Sequence, residues 1–163
     1  MIHAELEKRV VNVLTFAQIL NGIGVAGTVA AGSLLVSSIT HSDSQAGLAQ
    51  TSAVLGAAAM ALPLSRLTER GGRRLALSIG YVTGVLGAGL AMVGGTSRMI
   101  SVLLMGTFLL GAASAAGYQA RFAAVDLASA QTRSRALSTV VWGSTIGAVS
   151  GPNLMEPSGI LAQ

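Results

Sequence analysis

Apolar and polar positions divide the chain into five long hydrophobic stretches joined by short polar segments. The first runs from about Val10 to Ile39 without a charged residue, after a charged opening of Glu5, Glu7, Lys8 and Arg9. The others cover about 47–64, 75–93, 99–127 and 136–155. A helix crossing the hydrocarbon core needs about 20 apolar residues, so each stretch predicts a transmembrane helix, and segment 65–74 between the second and third reads as a polar loop. The first stretch is too long for a secretory signal, and Thr40, His41, Ser42, Asp43 and Ser44 after it resemble a polar loop more than a cleavage site. Gly94, Gly95, Thr96, Ser97 and Arg98 predict a tight turn before the fourth span. The fold class expected is all-α, a polytopic transmembrane helix bundle of about five spans forming a single domain over residues 1–163.

Composition agrees with that class. Of 163 residues 52% are hydrophobic and only 10% charged, whereas a soluble domain carries about 25% charged residues. Mean hydropathy is +0.67. With no cysteine, a disulfide scaffold is excluded. Disorder and collagen are excluded by hydrophobicity and by the lack of a three-residue glycine period. A pI near 10.7 raises the question of nucleic acid, but the net +4 arises from only 10 Lys and Arg, and their placement fits a lipid bilayer partner.

That placement sets the orientation. With the N-terminus cytoplasmic, Lys8, Arg9, Arg66, Arg70, Arg73, Arg74, Arg121, Arg133 and Arg135 lie inside and only Arg98 outside, the asymmetry of the positive-inside rule. Five spans put the C-terminus outside. The location expected is the cell membrane, plasma or inner, as a multi-pass protein.

Small residues recur along the spans. Gly80, Gly84 and Ala88 stand at four-residue spacing in the third, and Gly143, Gly147 and Gly151 in the fifth, followed by Pro152. Such stripes let helix backbones approach closely in lipid, where hydrophobicity does not drive one helix against another. Pro152 predicts a kink near the outer end of the fifth helix, because it lacks an amide hydrogen and frees the Ala148 carbonyl.

Polar residues at membrane depth are the candidates for function, since they must meet protein or water. In the first span, Thr15, Gln18, Asn21 and Thr28 lie within an arc of about 140°, and Gln18 and Asn21 are candidates for substrate contact. Hydrogen bonding between helices is the competing reading. In the fourth, Thr107, Ser114, Tyr118 and Arg121 fall within about 60°. Arg121 is read either as an interfacial cation reaching for water or as part of a substrate-facing network. Trp142 shares a face with Ser138 and Thr145; it is read as lining the same cavity or as an interface anchor.

Segment 65–74 reads Ser65, Arg66, Leu67, Thr68, Glu69, Arg70, Gly71, Gly72, Arg73, Arg74. Its order of acid, Arg, any residue, Gly, Arg, Arg resembles the loop signature of the major facilitator superfamily, with Ser65 in place of the usual Gly and Glu69 in place of the usual Asp. The resemblance implies that Glu69 pairs with arginines and a neighbouring helix end as a charge latch of the outward-facing state. Arg70, Arg73, Arg74 and Asp126 belong to that inner charge network. Gly147, Gly151 and Pro152 resemble the helix-five motif of exporters in the superfamily, whose glycines let this helix lie flush against its counterpart in the second half. The paired glycines that often complete it are replaced by Asn153, Leu154, Met155 and Glu156. The helix-four arginine of drug/proton antiporters is not matched, because Thr107 stands four residues before Gly111.

Nearly the whole chain thus resembles the N-terminal half of a bacterial transporter of this superfamily, ending after the fifth helix. The resemblance implies alternating access for a small solute coupled to a proton or solute gradient, efflux being favoured slightly over uptake. It also implies that the partners are the small-molecule substrate, protons, a sixth helix and a C-terminal half, and that these residues alone do not transport. The alternative is a small non-transporting membrane protein acting as a helix-packing assembly partner. No cofactor is expected. His3 and His41 stand apart without cysteine, so there is no metal-ligand spacing, and neither a phosphate-binding loop nor a Ser/His/Asp set marks an enzyme.

Overall fold

A computed structural model of the chain describes residues 2–154. The described residues form five helices, α1 (Ile2–Thr40), α2 (Leu48–Gly71), α3 (Arg73–Thr96), α4 (Ile100–Leu127) and α5 (Arg133–Asn153), with one 3-10 turn at Asp43–Gln45. Four of them, α1 to α4, are long and apolar enough to cross a membrane. The fifth has 21 residues, about 31 Å of helix, and is richer in Arg, Ser and Thr. Met155, the expected last residue of the fifth span, lies outside the described residues.

The helix ends differ from the hydrophobic boundaries, because hydropathy marks the membrane and backbone hydrogen bonds mark the helix. The first helix starts at Ile2, well before the apolar stretch. The second continues through Pro63 to Gly71, so most of the segment expected to be a loop is helical. A proline in a spanning helix is tolerated when neighbouring groups satisfy the freed carbonyl. Gly72 alone separates α2 from α3, with φ 82° and ψ 160°, a region open almost only to glycine. Its N–H donates to the Thr68 carbonyl, and its own carbonyl accepts from Ala76.

The turn after α3 is also built differently from its sequence signal. Gly94 and Gly95 remain helical, and the left-handed residue is Arg98, at φ 54°. Met99 N–H donates to the Gly94 carbonyl at 2.9 Å and Arg98 N–H to the Gly95 carbonyl at 3.3 Å. This is the Schellman pattern, with arginine where glycine usually stands. At the other end of the first connection, His41 is left-handed at φ 52°, and the Ser37 hydroxyl donates to Asp43 Oδ1 at 2.8 Å.

The described residues divide between two compact units, 27–116 and 1–26 with 117–163. In the 27–116 unit, glycines bring the helices together. Gly84 meets Ala113, Gly87 meets Leu110, Gly94 meets Leu103 and Gly106 meets Ala91, while Gly56 meets Phe108 and Gly111 meets Ala53 and Ala57. The Ser52 hydroxyl donates to the Leu104 carbonyl at 2.7 Å, tying α2 to α4. The α3 stripe is therefore Gly80, Gly84, Gly87, Ala91 and Gly94, all buried, and the expected Ala88 is exposed. A strict four-residue step drifts by about 40° per turn, and the 3.6-residue period corrects it with a three-residue step. Two apolar clusters complete this unit, Val36, Ala49, Ala91 and Leu103, and Leu64, Ala115 and Ala116.

In the other unit, α5 lies against α1. Gly143 meets Thr15, Gly147 meets Ile19 and Gly22, and Gly22 meets Ser144 and Ala148. Gly143, Gly147 and Gly151 are buried. The resemblance placed this stripe against a counterpart helix in a second half; for Gly143 and Gly147 the surface met is α1, because the close approach there already excludes side-chain carbon. Pro152 is the penultimate residue of α5, so the expected kink has almost no helix beyond it to bend, and the proline sits where the helix stops. The Thr132 hydroxyl donates to Glu7 Oε1 and joins the start of α5 to the start of α1.

Candidate functional site: a polar cluster on α1, α4 and α5

Two side-chain amides on α1 meet α4 at Gly117. Gln18 is 1% exposed, and its Nε2 donates to the Gly117 carbonyl. A carbon added at Gly117 would lie 2.6 Å from Asn21 Nδ2, so glycine there makes room for the second amide. The contact Gln18 makes here is the helix-to-helix hydrogen bond that was its competing reading. A buried amide is costly without a partner, and a helix carbonyl still has a lone pair to accept with. Asn21 is half-buried beside it.

One helical turn after Gly117, Arg121 crosses to α5. Its Nη2 donates to Ser144 Oγ at 3.4 Å, and its guanidinium lies 5.3 Å from the centre of the Tyr118 ring, within cation–π range. Arg121 Nε is buried and has no hydrogen-bond partner among the described residues. Among the described residues no carboxylate pairs with this arginine; the ion pair found, Lys8 to Glu5 at 3.8 Å, is exposed at the start of α1. Ser144 in turn donates to the Val141 carbonyl at 2.6 Å, which leaves its oxygen as the acceptor facing Arg121.

Thr107 and Ser114 belong to the 27–116 unit. Thr107 is fully buried and donates to the Leu104 carbonyl of its own helix at 3.0 Å, which disposes of its hydroxyl locally. Ser114 is half-buried. Trp142 and Tyr118 are 66% and 57% exposed.

In the α2–α3 connection, Glu69, Arg70 and Arg74 are exposed and Arg73 is half-buried. Glu69 makes no ion pair among the described residues. Arg73 and Asp126 both have partners. No group of three or more His, Cys, Asp or Glu that could hold a metal occurs among the described residues.

One participant carried no signal as a site residue. Ser144 sits between the stripe glycines Gly143 and Gly147, and only its contact with Arg121 marks it. Tyr81, in the 27–116 unit, has a buried hydroxyl without a hydrogen-bond partner among the described residues and packs on the cluster of Leu64, Ala115 and Ala116.

Comparison with known proteins follows the same lines. The chain is 37% identical over 157 residues to the uncharacterized MFS-type transporter YdeG of Bacillus subtilis, covering 96% of this chain and 36% of that protein. It is 32% identical over 158 residues to YddS, a second uncharacterized MFS-type transporter of B. subtilis, covering 97% of this chain and 36% of the relative. It is 27% identical over 155 residues to the riboflavin transporter RfnT of Brucella anthropi, covering 95% of this chain and 39% of the relative. The chain thus spans little more than a third of the length of these relatives. No solved structure matches it. The family model of the Major Facilitator Superfamily matches residues 14–156, nearly all of the membrane-spanning helices, and the chain belongs to that superfamily.

Proposed function

We propose that these residues form part of a secondary transporter that moves a small solute across the cell membrane by alternating access, driven by a proton or solute gradient, with export as the favoured direction. The observation that carries the reading is the polar cluster of Asn21, Tyr118, Arg121 and Ser144 in membrane-spanning helices of a superfamily member, where polar groups are costly unless they serve packing or a solute path. Trp142 is proposed with them for the cavity wall, and Gln18 ties α1 to α4. The N-terminus is cytoplasmic in this reading, and Glu69, Arg70, Arg73, Arg74 and Asp126 form the inner latch. Glu69 is exposed and unpaired among the described residues, which leaves its carboxylate available to a partner beyond them. The reading is non-enzymatic: solute and gradient are the only reactants.

The test is a chimera in which these residues replace the matched part of YdeG, assayed in everted vesicles against a solute panel that includes riboflavin because of the relative RfnT. Saturable, gradient-dependent flux of at least one solute moved by unmodified YdeG is expected. A stably inserted chimera that moves none of them would overturn the reading. Proteoliposomes holding the 163-residue chain alone are expected to show no saturable flux, and reporters after Gly72 and after Gln163 are expected inside and outside, respectively.

A further inference from the structure

Arg121 lies near the inner end of α4, in the segment Ile100–Asp126 that is long and apolar enough to cross a membrane, and its surroundings among the described residues leave it short of partners. A guanidinium has five N–H donors and no acceptor. One donor reaches a neutral serine at 3.4 Å, and the buried Nε reaches no acceptor among the described residues. No acidic side chain among the described residues balances the charge. The Tyr118 ring attracts the cation through its quadrupole without neutralising it. Cations in membrane-spanning helices normally pair with an acid or with backbone carbonyls, and among the described residues this one has only the serine hydroxyl and the tyrosine ring.

We propose that Arg121 receives the carboxylate of a planar organic anion, the flat body of the ligand lying against the exposed ring of Tyr118. This rests on the transport reading above and names the substrate class of that site. Each part of the cluster has a role in it. The guanidinium fork matches a carboxylate, which can take two N–H groups at once. Ser144 donates to the Val141 carbonyl and holds the guanidinium on α5 by accepting from it. The ring of Tyr118, three residues before Arg121, offers an apolar face beside the charge. Asn21 adds a neutral donor one turn away at Gly117, whereas Gln18 is used by the backbone.

The test uses the 163-residue chain in phosphatidylcholine nanodiscs, with benzoate as the probe and saturation-transfer NMR as the readout, a method sensitive to millimolar affinity. Saturable benzoate binding is expected, at least tenfold weaker in Arg121→Gln and partly retained in Arg121→Lys. Benzamide, the uncharged isostere, is expected to compete poorly. Tyr118→Leu is expected to weaken benzoate more than acetate. Retention of benzoate affinity within threefold in Arg121→Gln, absence of saturable benzoate binding, or equal binding of benzamide would each overturn the proposal. Loss of the signal on adding phosphatidylglycerol would assign the arginine to a lipid headgroup and overturn it as well. Benzoate binding with a silent YdeG chimera would sink the transport reading alone; flux without Arg121-dependent binding would sink the anion site alone.

Discussion

Replacing Gly87 with alanine adds one methyl group to the contact between α3 and α4, where the nearest atoms all belong to main chain. The new carbon would lie 2.5 Å from the Leu110 nitrogen, 2.7 Å from the Gly106 carbonyl oxygen and 2.8 Å from the Leu109 carbonyl carbon. Close carbon-to-oxygen approaches in proteins are about 3.3–3.6 Å, so α3 must withdraw by roughly 0.6–0.8 Å. A gap of that size forfeits a quarter to a half of the dispersion attraction of each facing atom pair. With roughly 30 such pairs at about 0.1–0.2 kcal/mol each, the loss is about 1–2 kcal/mol, on the scale of measured overpacking penalties. Alanine also favours a helix over glycine by about 1 kcal/mol, which would mask part of the effect. Gly89 removes this ambiguity, because it lies two residues away in the same helix with nothing within 4 Å of an added carbon. Gly87→Ala is therefore expected to be less stable than Gly89→Ala by about 1–2 kcal/mol. Amide hydrogen exchange of the chain in detergent should show residues 104–113 opening about 5- to 30-fold more often in the Gly87 variant than in the Gly89 variant. Exchange in the two variants within twofold of each other would show that the close approach at Gly87 does not exist.

Three further substitutions probe other parts of the structure. Arg98→Gly removes an L side chain from the left-handed position of the α3–α4 turn and is expected to stabilise the chain by about 0.5 kcal/mol after the entropy cost of glycine is deducted. An upward shift of the unfolding midpoint in mixed dodecyl maltoside and SDS micelles checks this. Gly72→Ala forces a side chain into a conformation nearly restricted to glycine and should lower the same midpoint by the equivalent of about 1–3 kcal/mol; an unchanged midpoint would mean that α2 and α3 are joined in another way. Gln18→Leu removes the amide from the Gly117 carbonyl and should cost about 0.6–1.7 kcal/mol, the range for interhelical hydrogen bonds in a membrane. Thermal unfolding identical to that of the parent would place that amide elsewhere.

The helices were legible because hydropathy and charge speak directly to the bilayer. Their ends were not, because residues such as Thr68, Glu69 and Arg70 are polar yet compatible with helix, and α2 runs on through them. The α3 stripe was legible as a surface of small residues and misplaced by one position at Ala88, since a four-residue spacing approximates the helical period. At the α3–α4 turn, composition pointed to Gly94 and Gly95, but those glycines are used for close approach to Leu103 and Leu35, and the left-handed conformation falls on Arg98. The polar cluster was half legible. Gln18, Asn21, Tyr118 and Arg121 stood out as polar residues in apolar helices. Their partners did not, because the partner of Gln18 is a backbone carbonyl, which every residue possesses, and Ser144 is one of several serines in α5. Contact between distant residues decides both, and sequence spacing carries no record of it.

The glycine-to-backbone contacts between α3 and α4 also have a genetic consequence. A change at the third base of a glycine codon is silent, while any change at its first or second base that still encodes an amino acid brings in a residue with at least one extra carbon. At Gly84, Gly87, Gly94 and Gly106, where such a carbon meets a neighbouring helix, no conservative neighbour can be reached by a single missense mutation. The exposed side chains of α4, such as Met105 and Phe122, escape this constraint, and random mutagenesis of the gene should show tolerance and intolerance alternating along a helix whose hydropathy is almost uniform.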